Sequence, residues 1–172
     1  MCSYSQTLLH KEWCTYYFGR NSSANTIIID SNDDVVVAGN VGGTSGMTLP
    51  LLEPLSYFDS FTTPNVHKNS ILTNKTECFL AKFNKHGALL WSTYYGGENG
   101  DSCIIMNIDA NDNIYVSGST HSATGIATAN ALYPSYDLIN ISGNPKTVAY
   151  LIKFSTSGQL LWDTYLPCGR SS

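Results

Sequence analysis

The chain has few charged residues for its length. Its 172 residues include 9 Lys and Arg and 13 Asp and Glu, which gives a formal net charge of −4. The basic residues form no cluster, so a nucleic-acid-binding surface is not expected. The hydrophobic fraction of 42% is too high for a disordered chain, and no apolar run approaches the ~20 residues of a membrane helix. We therefore predict a globular protein with no nucleic-acid partner and no membrane span.

The N-terminus and the cysteines lack the signs of a secreted protein. The first residues, MCSYSQTLLHKEW, have neither a basic start nor an apolar stretch of ~7–15 residues, so no signal peptide is predicted. The number of cysteines is odd, and no C-x-x-C pair occurs. This pattern favours reduced thiols over a disulfide framework, and with them an intracellular location. The cysteines are Cys2, Cys14, Cys78, Cys103 and Cys168.

The usual patterns of catalytic and metal sites are also missing. The histidines are scattered, and none has a zinc-ligand spacing such as H-x-x-x-H. No G-x-S-x-G occurs, and the glycine-rich stretch 42–46 is not followed by G-K-[ST]. The sequence therefore predicts a protein that is not an enzyme, with no catalytic residues and no cofactor. The histidines are His10, His67, His86 and His121.

One phrase is present three times: WCTYYFG at Trp13, WSTYYGG at Trp91 and WDTYLPCG at Trp162. The residues between these phrases repeat as well, as in DSNDDVVVAG at 30–39 and DANDNIYVSG at 109–118. The spacing from Trp to Asp is 17 residues in the first copy and 18 in the second. Only the long connection between the second and third strands varies much in length, as expected for a surface loop. The chain thus contains two copies of one unit of about 75 residues and an extra N-terminal piece.

Each copy of the repeat predicts four short strands. Runs rich in Val, Ile, Tyr, Phe and Trp are bounded by Gly, Asn, Asp and Ser, which is typical of strands joined by hairpins. The predicted strands are 27–29, 35–38, 79–83 and 89–94 in the first copy, and 104–108, 114–117, 150–154 and 160–165 in the second. Several are apolar on both alternating faces, so both sides of each sheet are expected to be covered. Such a four-stranded antiparallel unit is typical of a propeller blade.

The predicted fold class is therefore all-β, a partial β-propeller. It has two four-stranded antiparallel blades and an N-terminal edge strand. The edge strand, over 1–19, would belong to a neighbouring or incomplete blade. The first blade covers 20–97 and the second 98–172.

The repeated motifs of the two copies resemble those of the seven-bladed β-propeller repeat (SBBP) family. Its pattern joins D-x-x-x-N-[IV]-Y-V-x-G to K-F-x-x-x-G-x-L-L-W-x-T-Y across a variable stretch. The second copy matches from Asp109 to Tyr165, whereas the first has Asp34 and Val36 where Asn and Tyr are usual. The resemblance covers roughly residues 8–169 and implies a propeller fold and a secreted or cell-surface location. It implies no particular activity, because one scaffold serves many functions.

Two acidic turns match the opening half of a calcium loop, D-x-[DN]-x-[DN]. The later Gly and bidentate Glu of such a loop are missing, and strand residues follow directly. Asn and Asp also stabilise tight turns by bonding their own backbone, so ordinary hairpin turns are favoured over a metal site. The calcium candidates are Asp30, Asn32, Asp34, Asp109, Asn111 and Asn113.

The two long connections, 41–76 and 121–146, are the predicted binding surface. They are longer than the ~12–15 residues beyond which loops tend to be functional or disordered. They carry aromatic side chains among Thr, Ser, Asn and Pro. The repeated Trp and Tyr residues of the fourth strands are expected to pack in the core rather than to stack on carbohydrate. The predicted binding residues are Tyr57, Phe58, Phe61, Tyr133 and Tyr136.

Two blades cannot close a ring, so each end of the pair should expose an apolar face. Monomers rarely show continuous apolar patches beyond ~300–600 Å². We therefore expect a homo-oligomer, a part of a longer propeller or a subunit of a larger assembly. The predicted function is a non-catalytic module for protein binding or assembly. The alternatives are a lectin-like ring of two-blade chains and a hydrolase or lyase with acids around a central channel.

Overall fold

The computed structural model describes residues 12–15, 22–42, 62–71, 75–136 and 147–166. These residues form two antiparallel four-stranded sheets, with strand orders β1-β2-β3-β4 and β5-β6-β7-β8. The predicted all-β class and all eight predicted strands are confirmed. The strands are β1 Ser22–Ile29, β2 Val35–Gly42, β3 Thr76–Phe83, β4 Leu89–Tyr95, β5 Asp101–Ile108, β6 Ile114–Thr120, β7 Val148–Phe154 and β8 Leu160–Leu166. No helix occurs among the described residues, so none there could span a membrane.

The hairpin turns form where the sequence predicts them. The β1–β2 and β5–β6 turns each hold an Asp with a left-handed backbone, Asp33 at φ 63° and Asp112 at φ 58°. The β3–β4 and β7–β8 turns contain Gly87 at φ 83° and Gly158 at φ 80°. Glycine adopts positive φ without the steric cost that a Cβ would add.

A β-bulge lies at the same place in both sheets. The register shifts between Ala24 and Thr26 in β1, and between Cys103 and Ile105 in β5. The residue opposite each bulge is a glycine, Gly39 or Gly118. A Cβ there would collide with the carbonyl oxygen of the facing strand. Close backbone approach therefore explains why the repeated segments 30–39 and 109–118 both end in a glycine.

The main hydrophobic core lies between the two sheets. We call the face of each sheet that carries Trp91 or Trp162 its tryptophan face, and the opposite face its back face. The tryptophan face of the first sheet packs on the back face of the second, with β5 against β1, β2 and β3. The buried residues are Val36, Ala38, Cys78, Leu80, Trp91 and Tyr95 on the first sheet, and Cys103, Met106, Ile114, Val116, Val148, Tyr150, Ile152, Phe154 and Tyr165 on the second.

A disulfide between Cys78 and Cys103 joins the two sheets. It links β3 to β5 across the core, with the two Cα atoms 5.1 Å apart. The prediction of reduced thiols is therefore wrong for this pair, and these two cysteines no longer support an intracellular location. The two cysteines occupy unrelated positions in the repeat and meet only because the sheets pack face to face. Cys14 is exposed and lies outside this disulfide, and Cys2 and Cys168 are outside the described residues.

Candidate binding surface

The described parts of the two long connections run along the outer edge strands, β4 and β8. Thr63 and Thr128 donate their backbone N–H to the carbonyls of Ser92 and Asp163, at 3.2 and 3.4 Å. The backbone N–H of Tyr94 donates to the carbonyl of Lys68 at 2.9 Å. These bonds cover exposed strand edges, which would otherwise pair with other chains. The described part of each connection therefore forms a border of its own sheet.

The predicted binding residues do not form one cluster among the described residues. Tyr133 lies at the β8 edge, where its carbonyl accepts from the N–H of Tyr165 at 3.2 Å, and its side chain is 42% exposed. Tyr136 is half-buried and packs against the main core. Tyr57, Phe58 and Phe61 lie outside the described residues. Of the five, Tyr133 is the one whose ring the structure shows as exposed.

The repeated tryptophans dock on glycine turns. Trp91 lies over Gly158, where an added Cβ would be 2.8 Å from the indole ring. Its Nε1 donates to the carbonyl of Thr156 at 2.9 Å, and only 7% of its surface is exposed. The expectation that this tryptophan packs in the core is confirmed. Glycine is required in the turn because any side chain would occupy the space that the indole fills.

Trp13 makes the same contact one unit earlier. Its ring lies over Gly87, again with 2.8 Å to an added Cβ, and its Nε1 donates to the carbonyl of Lys85 at 3.1 Å. The ring also packs against Phe83, with centroids 6.1 Å apart. Residues 12–15 belong to the predicted N-terminal edge strand, and the structure places them outside the eight strands. They cover part of the back face of the first sheet.

Trp162 is the third tryptophan of the series, and it is 36% exposed. Its ring touches Tyr115 on its own sheet, with centroids 6.1 Å apart. The expectation that this tryptophan also packs in the core is wrong, because no described part of the chain covers the tryptophan face of the second sheet.

An apolar groove of about 750 Å³ borders Trp162 on this face. One wall is the connection segment 128–132, and the other is formed by β7 and β8. Leu132 is 79% exposed at its rim. This groove is not among the predicted binding surfaces, although the third tryptophan phrase, which no further copy of the repeat follows in the sequence, was a signal for it. The lining residues on the strands are Leu151, Leu161, Trp162, Asp163, Thr164 and Leu166.

Asp163 in the groove and Lys153 on the same sheet already have partners. Asp163 accepts hydrogen bonds from Tyr95 Oη at 3.0 Å and from the Thr128 N–H at 2.6 Å. Burial raises the pKa of its carboxyl despite these donors. Lys153 lies 3.2 Å from Asp109 and 4.8 Å from the ring centroid of Tyr115. The side-chain hydrogen bond with Tyr115 is the main reason that the pKa of the Lys153 ammonium is raised. The neighbouring Asp109 carboxylate raises it further.

The acidic turns bind their own backbone. Asp30 Oδ1 accepts from the N–H groups of Asn32 and Asp34, at 2.9 and 3.0 Å, and Oδ2 lies 2.6 Å from Lys82 Nζ. Burial opposes ionisation of Asp30, but these donors outweigh it and leave the pKa below its ordinary value.

Asp109 has the same arrangement in the second copy. It accepts from the N–H groups of Asn111 and Asn113, both at 2.9 Å, and from the Asn113 side chain. The Asn113 side chain, and then the backbone donors, lower the pKa of Asp109. The ammonium groups of Lys82 and Lys153 lie next to Asp30 and Asp109 and balance the negative charge of these carboxylates. The described residues contain no group of His, Cys, Asp and Glu suited to a metal ion. These contacts support the hairpin-turn interpretation.

Calcium at about millimolar concentration is therefore expected to leave the melting temperature nearly unchanged. A true site would stabilise the protein by about 2.7 kcal/mol at a hundredfold excess over Kd. For a protein of this size, that corresponds to about 5–11 °C in a thermal melt. A rise of more than about 5 °C that disappears in Asp109→Ala would show a calcium site.

The described histidines have structural neighbours. His67 packs on Tyr95 and Phe154, with centroids 5.7 and 5.9 Å apart, and burial lowers the pKa of its ring. His121 Nε2 lies 3.3 Å from the Thr147 hydroxyl.

Comparison with protein-family models gives no match, and no curated protein matches the sequence. The interpretation of the surface therefore depends on the geometry of this chain.

Proposed function

We propose that this chain is a non-catalytic module for protein binding or assembly, and that its two sheets are successive blades of a β-propeller. One observation carries the proposal: the tryptophan face of one sheet docks on the glycine turn and back face of the next. This contact can propagate because each sheet has both halves of it. Propeller blades stack in this way, each burying both faces against its neighbours.

The two outer faces support an assembly role. Trp162, Leu161 and Leu166 expose 36–48% of their surface at one end of the pair. Ile27 and Ile29 expose 64% and 61% at the other. Continuous exposed apolar surface marks an interaction site in a soluble protein. Partner specificity would come from the long connections, where Tyr133 stands next to the groove border.

The native particle is accordingly expected to exceed the mass of one chain, most simply with three or four chains that supply six or eight blades. Burial of apolar surface contributes about 25 cal/mol per Å², part of which offsets the cost of association. Analytical ultracentrifugation or light scattering over a range of concentrations measures the mass. A folded monomer at every concentration, with low binding of a hydrophobic dye, would contradict the proposal.

Carbohydrate binding is a second candidate, favoured by the exposed indole of Trp162 beside Thr128 and Asn130 in the groove. An exposed aromatic ring with polar neighbours suits a sugar, which presents both apolar and hydroxyl faces. A glycan array with the parent chain, Trp162→Ala and Tyr133→Ala separates the two functions. Specific binding lost in either variant would favour the lectin.

A further inference from the structure

The two occupied turns and the one uncovered tryptophan define a missing contact. Trp13 occupies the turn of the first sheet, and Trp91 occupies the turn of the second. Trp162 stands at the corresponding position on β8, next to an open groove. The contact between the two sheets is thus a template for what fits against Trp162.

We propose that the tryptophan face of the second sheet binds the β3–β4 turn of a second copy of this chain, head to tail. We further propose that Trp13 of that second copy competes for the same turn. This inference rests on the proposed assembly function. The turn, 84–87, has the same backbone as 155–158, with Gly87 at φ 83° and Gly158 at φ 80°.

The groove beside Trp162 corresponds to the space beside Trp91 that the second sheet fills inside the chain. On the first sheet, the corresponding segment is 63–67, which borders Trp91 as 128–132 borders Trp162. There His67 packs against Phe154, and the Gln159 side chain donates to the carbonyl of Asn65. Leu132 occupies the position of His67, and Phe83 of the incoming turn corresponds to Phe154. The incoming phenylalanine would thus meet a leucine, and the docking interface continues the one inside the chain.

Trp13 and an incoming Trp162 cannot use the turn together. Both need the space over Gly87, where the indole of Trp13 already lies 2.8 Å from a Cβ position, and both need the one carbonyl of Lys85. Association therefore requires residues 12–15 to leave the turn. It also requires the chain to uncover Phe79, Phe83 and Tyr94 of the back face, which are 3%, 5% and 0% exposed. The contact joins different surfaces of the two copies, so it forms a ring if the rotation closes and an open chain if it does not.

One residue makes the contact between copies weaker than the internal one. Inside the chain, Lys82 Nζ donates to the Thr156 hydroxyl of the next turn at 3.0 Å. Between copies, Lys153 takes the place of Lys82, and Lys85 takes the place of Thr156. Two ammonium groups would face each other, and like charges at close range oppose binding. Lys85→Thr restores the hydroxyl acceptor and removes the repulsion.

Sedimentation velocity over a concentration series tests the proposal with the parent chain and four variants. Trp162→Ala should weaken association by about 30-fold or more, as expected for a central aromatic residue of an interface. Trp13→Ala and Lys85→Thr should each strengthen it. Ser157→Ala changes an exposed residue of the β7–β8 turn that does not line the groove, so it should associate like the parent.

The outcomes separate this inference from the proposed function. If the parent associates and Trp162→Ala associates equally well, the docking site is wrong and the assembly function stands. If Trp13→Ala associates no better than the parent, the competition is wrong. If Trp13→Ala does not fold, an unchanged Lys85→Thr would overturn the docking contact by itself. A monomeric parent with an associating Trp13→Ala would contradict the mass prediction and support the docking site.

Discussion

Replacing Trp91 with alanine is expected to lower the free energy of unfolding by about 3–5 kcal/mol, the usual cost of truncating a buried large aromatic residue. The indole is 7% exposed and fills the space over Gly158 between the two sheets. Its loss also leaves the Thr156 carbonyl without the Nε1 donor. The melting temperature should therefore fall by about 6–20 °C, and soluble expression should decrease.

Trp162→Ala is the matched control for this change. It removes the same side chain from the corresponding position of β8, where 36% of the surface is exposed and none of the described turns covers the ring. Urea and thermal denaturation of both variants should show a much larger loss for Trp91→Ala. If Trp91→Ala melts near the parent while a binding activity disappears, Trp91 is a surface stacking residue and its assignment to the core is wrong.

Removing the disulfide is expected to have the second largest effect. The two cysteines are 25 residues apart, and the loss of a loop constraint of that length costs about 3–4 kcal/mol in the chain-entropy description. The double variant Cys78→Ala, Cys103→Ala should therefore melt about 6–16 °C below the oxidised parent. A reducing agent should lower the melting temperature of the parent and leave that of the double variant unchanged.

Cys14→Ser is the control for the disulfide experiment, because Cys14 is exposed and outside the bond. It should melt like the parent and keep the same response to reductant. Thiol counting on the unfolded, unreduced protein should find two fewer reactive groups than after reduction. Equal thiol counts before and after reduction would show that Cys78 and Cys103 are reduced in the native protein.

Local features of the fold could be predicted because their causes are local. Strand positions follow from short apolar runs, and the turns follow from Asp109 bonding its own backbone and from Gly87 at positive φ. The acidic turns could be interpreted as hairpins for the same reason. The candidate binding surface could not be located in this way, because the aromatic residues of the connections include both the half-buried Tyr136 and the exposed Tyr133.

The sequence by itself determined the two-copy repeat, the eight strands and the antiparallel hairpins, since each depends on residues within a few positions of one another. Only the tertiary structure decided the disulfide between Cys78 and Cys103, which joins two positions that do not correspond in the repeat. It also decided that Trp91 is buried while Trp162 is exposed. The two tryptophans stand in the same local pattern, and their environments differ because a following sheet covers one and not the other.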